Sequence, residues 1–257
     1  MTALAHSWYM TVRHIRALLR QPWWIAISLV QPIIWLLLFG ALFRRIVELP
    51  GFETESYITF LTPGIVIMSA MFSGGWSGMG LLEDIDRGVV DRLLVTPMSR
   101  GPIMVGRLIQ QALLSAIQSL ILVGLALLLG ADYPGGVGGV VILIVAGSLL
   151  SISFGALSSG LGLLVRREET LIAAINFILL PLTFLSSAFL QMSLAPEWIQ
   201  TVAKYNPTDW AIRVGRSALS ADPDWNLILS RGGFLLAFTI VAIWLALRAF
   251  RVYQRSV

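Results

Sequence analysis

Between Glu83 and Arg100 the chain gathers Glu83, Asp84, Asp86, Arg87, Asp91, Arg92 and Arg100, and long apolar runs flank the cluster on both sides. Charges cost several kcal/mol each in hydrocarbon. The cluster therefore belongs in water at one face of a membrane, and its alternating signs suit contact with another protein. The chemistry offered is recognition rather than bond breaking. On a helix Ile85, Val89 and Leu93 share one face, an apolar ridge shaped for a groove, with Glu83, Asp84, Arg87, Asp91 and Arg92 placed to orient it. Thr96-Pro97 ends such a helix before the next apolar run. The plainer alternative is a charged loop that only fixes topology.

Covalent and metal chemistry find little to work with. The chain has no cysteine, which removes disulfides, thiolate metal sites and thiol nucleophiles. His6 and His14 are eight residues apart, too far on one helix to share a metal. The only lysine, Lys204, follows Ala203, so the phosphate-binding pattern GxxxxGK[ST] is not formed around it. No catalytic site, metal or cofactor is expected in this chain. The net charge of +4 does not point to nucleic acid, because the basic residues are dispersed near the ends of apolar runs instead of forming a patch.

The elements that must position these residues follow from composition. Hydrophobic residues make up 57% of the chain, charged residues only 12%, and mean hydropathy is +0.82; a soluble domain carries about 25% charged residues. An all-α polytopic membrane protein is expected. Six apolar runs reach the roughly 20 residues needed to cross hydrocarbon: Trp23 to Phe43, Tyr57 to Leu82, Met104 to Ala131, Val137 to Val165, Leu171 to Met192 and Gly232 to Leu247. With cytoplasmic termini, 12 of the 18 Lys and Arg residues, Arg107 among them, fall on the inner side, as the positive-inside rule favours. Apart from Arg107 at the mouth of the third run, the cores hold no Asp, Glu, Lys, Arg or His. Ion-coupled carriers usually place such groups there, so any drive is expected from another polypeptide.

Residues 1–21 read as an interfacial amphipathic helix, with Leu4, Trp8, Val12, Ile15 and Leu19 on one face and Arg13, Arg16 and Arg20 on another. Within the spans, Gln111, Ser115 and Gln118 form a stripe on the third and Asn176 lies in the fifth. Each suits an interhelical hydrogen bond, and the stripe is the best candidate for a substrate-facing surface. Ser73-Gly74-Gly75-Trp76-Ser77-Gly78 suits close helix packing or the border of a path. Residues 193–230 form an outer segment of two short helices, one opened by Pro196-Glu197 and one capped by Asn206-Pro207. Trp198, Tyr205, Trp210 and Trp225 would sit at the outer interface, as a lid over an exit or as an anchor.

The order of these features resembles a type-2 ABC exporter permease. The motif is carried by Asp86-Arg87-Gly88, Leu93 and Thr96-Pro97 through Arg100, by Leu180-Pro181-Leu182-Thr183-Phe184-Leu185-Ser186-Ser187-Ala188-Phe189, and by Tyr205-Asn206-Pro207-Thr208-Asp209-Trp210-Ala211-Ile212-Arg213. Val89 departs from the Thr that many members carry after the Gly. The likeness covers essentially the whole chain, a single transmembrane domain 1–257, and is nearest to the daunorubicin/doxorubicin-resistance permeases.

That resemblance implies a half-transporter in a bacterial cytoplasmic (inner) membrane, both termini cytoplasmic. Two copies would pair around a path, each resting its loop 82–100, with a coupling helix near Leu82 to Val95, on an ATP-binding subunit that holds ATP and Mg. The cargo would be an amphipathic or hydrophobic molecule, drug-like or lipid, moved by alternating access. Related members export lipids or glycans. A channel or scaffold without a motor is the alternative from another class; scattered amides and hydroxyls offer it no permanent polar lining.

Overall fold

The computed structural model describes residues 22–48, 56–87 and 101–254. Its α-helices are α1 (Pro22–Leu42), α2 (Tyr57–Asp86), α3 (Gly101–Leu128), α4 (Gly136–Val165), α5 (Glu168–Phe184), α6 (Glu197–Ala203), α7 (Pro207–Leu219) and α8 (Trp225–Gln254). Short 3₁₀ turns lie at Arg44–Glu48 and Met192–Leu194. The end where α2 stops and α3 starts is termed basal; the end that carries α6 and α7 is termed apical. The interfacial helix expected over residues 1–21 lies outside the described residues.

Apolar sequence with few breakers makes long helices here because hydrocarbon leaves the backbone no other hydrogen-bond partner. α2, α4 and α8 each run 30 residues, about 45 Å at the α-helical rise, so they project beyond a hydrocarbon core of about 30 Å. Among the described residues five helices are long and apolar enough to cross a membrane: α1, α2, α3, α4 and α8. The molecule is an all-helical multi-pass membrane protein.

The fifth expected span needs correction. Leu171 to Met192 is not one helix: α5 ends at Phe184 after 17 residues, about 25 Å, and the chain continues irregularly through Ser186–Leu190. Pro181 sits inside α5, and its missing N–H leaves the Phe177 carbonyl unpaired within the helix. The helix stops one turn later. Other boundaries move as well: α3 lies three residues earlier than expected at both ends, and α8 runs past Leu247 to Gln254. α2 runs four residues past Leu82, and α8 begins at Trp225, so the outer segment expected to reach residue 230 gives its last residues to a helix. The two short outer helices start where expected, with Pro196 as the cap of α6 and Asn206 as the cap of α7.

α2 is the central helix. Gly74 and Gly78 let its backbone touch that of α4: a Cβ built on Gly74 would lie 2.3 Å from the Ser151 carbonyl oxygen, and one on Gly78 would lie 2.6 Å from that of Ser158. Ser158 Oγ accepts from the Gly78 N–H and donates to the Gly75 carbonyl, stitching the two helices at that contact. α1 stands at the periphery with Trp23, Ile27, Val30, Ile34 and Leu38 exposed. That apolar face is turned away from the rest of the bundle.

Candidate functional site

At the basal end the final turn of α2 splits its side chains between two environments. Glu83 and Arg87 form an exposed i,i+4 pair at 2.5 Å, the kind that contributes under about 1 kcal/mol and stays available to a partner. Asp86 is exposed beside them. Asp84 turns the other way and accepts from Arg107 of α3. Ile85 packs on Leu81, Leu163 and Phe250, so it faces the bundle rather than extending an outward ridge. Gly88, Val89, Asp91, Arg92 and Leu93 lie outside the described residues.

At mid-depth the α3 stripe is brought together and buried. Gln111 Nε2 donates to Ser73 Oγ of α2 at 3.0 Å and to Ser151 Oγ of α4 at 2.9 Å. Gln118 Nε2 donates to Ser28 Oγ of α1 at 2.8 Å. Ser115 is wholly buried between them, and its hydroxyl, like Gln118 Oε1, has no protein partner. A cleft of about 150 Å³ opens beside this stripe between α1 and α2. Ser28, Gln31, Ser69, Ser73 and Gln118 line it, together with Trp35 and Trp76. Pro32 adds a polar group, because its lack of an N–H leaves the Ser28 carbonyl outside the helical ladder. The small-residue run of α2 thus divides by face: Gly74 and Gly78 pack on α4, while Ser73 and Trp76 border the cleft. Asn176 is not part of this group; it donates to its own helix at Ile172 O, 3.0 Å away.

The apical end is built around the break in α5. Asn206 caps α7 through its side-chain oxygen, which accepts from Thr208 N at 2.9 Å. Its amide nitrogen donates to Leu182 O at 2.7 Å and Leu185 O at 2.9 Å, carbonyls at the end of α5. Asp209, 1% exposed, accepts from Ser187 N at 2.8 Å and pairs with Arg213 at 2.6 Å. Arg216 donates to Ser187 O at 2.8 Å and Phe60 O at 3.2 Å, with its guanidinium 3.8 Å above the Phe60 ring. Tyr57 donates to Phe189 O at 2.9 Å. Irregular backbone at this depth is tolerated because protein groups satisfy it. Pro207 fills the first helical position of α7, where a missing N–H costs nothing.

Of the expected outer aromatics, Trp198 and Tyr205 are exposed, whereas Trp210 packs in a tilted arrangement against Phe234 at 5.6 Å and donates to Lys204 O at 2.7 Å. Asp209, Arg216 and Ser187 were not singled out by sequence reasoning as a site. For Asp209 the signal was a carboxylate in the first turn of a helix opened by Asn206-Pro207; Ser187 and Arg216 carried none. A recess of about 970 Å³ lies between this clamp, the start of α2 and the turn at Gly130–Pro134, with Arg213 and Arg216 on its wall. Among the described residues no three His, Cys, Asp or Glu side chains come together to hold a metal.

Comparison with known proteins adds a frame for these features. Residues 6–219 match the ABC-2 type transporter family. The chain is 31% identical over 209 residues to the protein named "Putative transport permease ycf38" of Porphyra purpurea, covering 80% of this chain and 71% of that one. It is 29% identical over 220 residues to the daunorubicin resistance ABC transporter permease protein DrrB1 of Streptomyces coeruleorubidus, covering 84% and 74%. With the linearmycin resistance permease protein LnrN of Bacillus subtilis it shares 26% over 193 residues, 73% of this chain and 48% of that one.

Proposed function

The chain belongs to the ABC-2 type transporter family, and from that premise we propose that it is the permease half of an ATP-driven exporter whose ATPase is a separate polypeptide. Its basal end faces the cytoplasm of a bacterial inner membrane, as the arginine count favours. Two copies pair around the path, and each seats its 82–100 segment on one ATP-binding subunit that supplies ATP and Mg. The cargo is an amphipathic or hydrophobic molecule, drug-like or lipid.

The observation that carries this reading is where charge sits. Glu83, Asp86 and Arg87 stand exposed at the end of α2, after a helix with no charge between Tyr57 and Leu82. The charge within the apolar part of α3, Arg107, is occupied by Asp84. The ionisable groups are placed to meet a partner and leave the mid-depth stripe of amides and hydroxyls neutral. Gln111, Ser115 and Gln118 then border the path, and the cleft between α1 and α2 admits cargo from the bilayer. At the apical end α7, with Asn206, Pro207 and Trp210, is the fixed wall of the exit, and Trp198 and Tyr205 rest at the interface.

A pull-down with a transport assay tests the assignment. Asp86→Arg should weaken retention of the ATPase, since a misplaced like charge at an interface costs several kcal/mol, while membrane insertion persists. Gln111→Leu with Gln118→Leu should leave the ATPase bound and change export or its substrate preference. Full retention by Asp86→Arg would remove this residue from the docking surface; an ATPase-free wild type would sink the reading itself.

A further inference from the structure

Arg107 lies in the second turn of α3, within the apolar stretch Gly106–Leu128, and its side chain is only 13% exposed. An arginine at such a position is costly and is kept for a partner or a function. One partner is Asp84 on the last turn of α2, which accepts from Nη2. A second contact runs from Nη1 to the Ser77 carbonyl at 3.5 Å, two turns further along α2. The guanidinium passes beside Gly80, where a Cβ would lie 3.7 Å from Nη1. One side chain thus grips α2 across its final two turns.

The same face of α3 continues upward, because positions 107, 111, 115 and 118 follow helical spacing. Gln111 reaches Ser73 and Ser151, and Gln118 reaches Ser28. Ser77 passes the contact on to α4 by donating to Gly155 O at 3.3 Å. α1, α2 and α4 are all tied to one file on α3. Its only charged rung is the lowest, between the two helix ends that flank residues 88–100.

We propose that Arg107 is a positioning residue for transport: its pair with Asp84 joins the basal ends of α2 and α3 into one lever, so that a push on the 88–100 segment moves the polar file along the path. This rests on the ATP-driven reading above. Stability alone is a poor reason for the pair, since apolar residues of similar volume often hold helices as well. Without the pair, the two helix ends follow the segment independently.

The absence of native cysteine makes a direct test available. Spin labels on Glu83→Cys and Ile109→Cys, both exposed positions, report the distance between the basal ends of α2 and α3 in nanodiscs, without any ATPase. The native pair should give one narrow distribution, Arg107→Gln a broad one, and the exchange Asp84→Arg with Arg107→Asp a narrow one again. In the complex with its ATPase, Arg107→Gln should keep ATP hydrolysis while export per ATP falls by about tenfold or more, within the usual range of coupling between sites. Arg107→Lys, which keeps the charge but loses the forked geometry, should fall between; it serves where Arg107→Gln fails to insert. A narrow distribution and native export per ATP in the neutral variant would overturn the proposal. So would an exchange variant as broad and uncoupled as the single one. A wild type that recruits no ATPase would defeat the ATP-driven reading, and the distance measurement would still decide the joint.

Discussion

Asn206 closes two helices with one amide, accepting at the start of α7 and donating to two carbonyls at the end of α5. Asp is as good an N-cap as Asn, so Asn206→Asp would be neutral if the cap were its whole role. It should instead destabilise the protein by about 1–3 kcal/mol, because both Leu182 O and Leu185 O lose their donor and face a carboxylate. Thermal unfolding in detergent checks this, and an unchanged midpoint would limit Asn206 to capping. Asp209→Ala should cost a similar amount, about 1–3 kcal/mol, because the buried Ser187 N loses its acceptor, while Arg213, partly exposed on the wall of the recess, can turn to water. At this scale the sequence was half legible. Asn206-Pro207 read correctly as a helix start, because a cap is a local pattern. The second half of each role stayed hidden, since Ser187 and Leu182 lie more than 20 residues away in a stretch that reads as continuous helix. The α3 stripe was visible from spacing, yet its partners Ser28, Ser73 and Ser151 are three serines among many. Arg107 counts as a topology charge in the sequence, and in the structure it is the foot of the stripe.

Glycine placement sets which helices meet. Gly74→Ala puts a methyl 2.3 Å from the backbone oxygen of Ser151, whereas a methyl at Gly124 meets nothing within 4 Å. The first should separate α2 from α4 and cost about 1–3 kcal/mol, typical of overpacking. The second should be neutral or slightly stabilising, since alanine favours helix over glycine by about 1 kcal/mol. Size-exclusion profiles and unfolding midpoints of the two variants give the contrast, and equal behaviour would contradict the packing. Three of the long helices, α1, α2 and α4, were legible to within a residue at one boundary or both, because apolar length is the strongest signal a membrane chain emits. α5 was not. Its apolar run is long enough to span, but Pro181 and the serines beyond it end the helix, and only the apical clamp explains why the remaining backbone can stay irregular. Residues 1–21 and the loop after Arg87 lie outside the described residues, so the amphipathic and coupling helices expected there stand as proposals.

At the scale of the whole molecule, three zones follow one another along α2 and α3: a charged basal end, a neutral polar file beside a cleft, and an apical clamp. An exporter driven from outside its own chain accounts for that order, with force entering where charges stand exposed and cargo passing where they are absent. The most direct measurement is uptake of a fluorescent amphipathic cargo into inside-out membrane vesicles that contain this chain and the ATPase that co-purifies with it. The account predicts uptake that requires hydrolysable ATP, ceases when the ATPase is omitted, and drops in the Asp86→Arg variant while the chain remains in the membrane. Cargo movement that proceeds at the same rate without ATP, or by this chain alone, would contradict it.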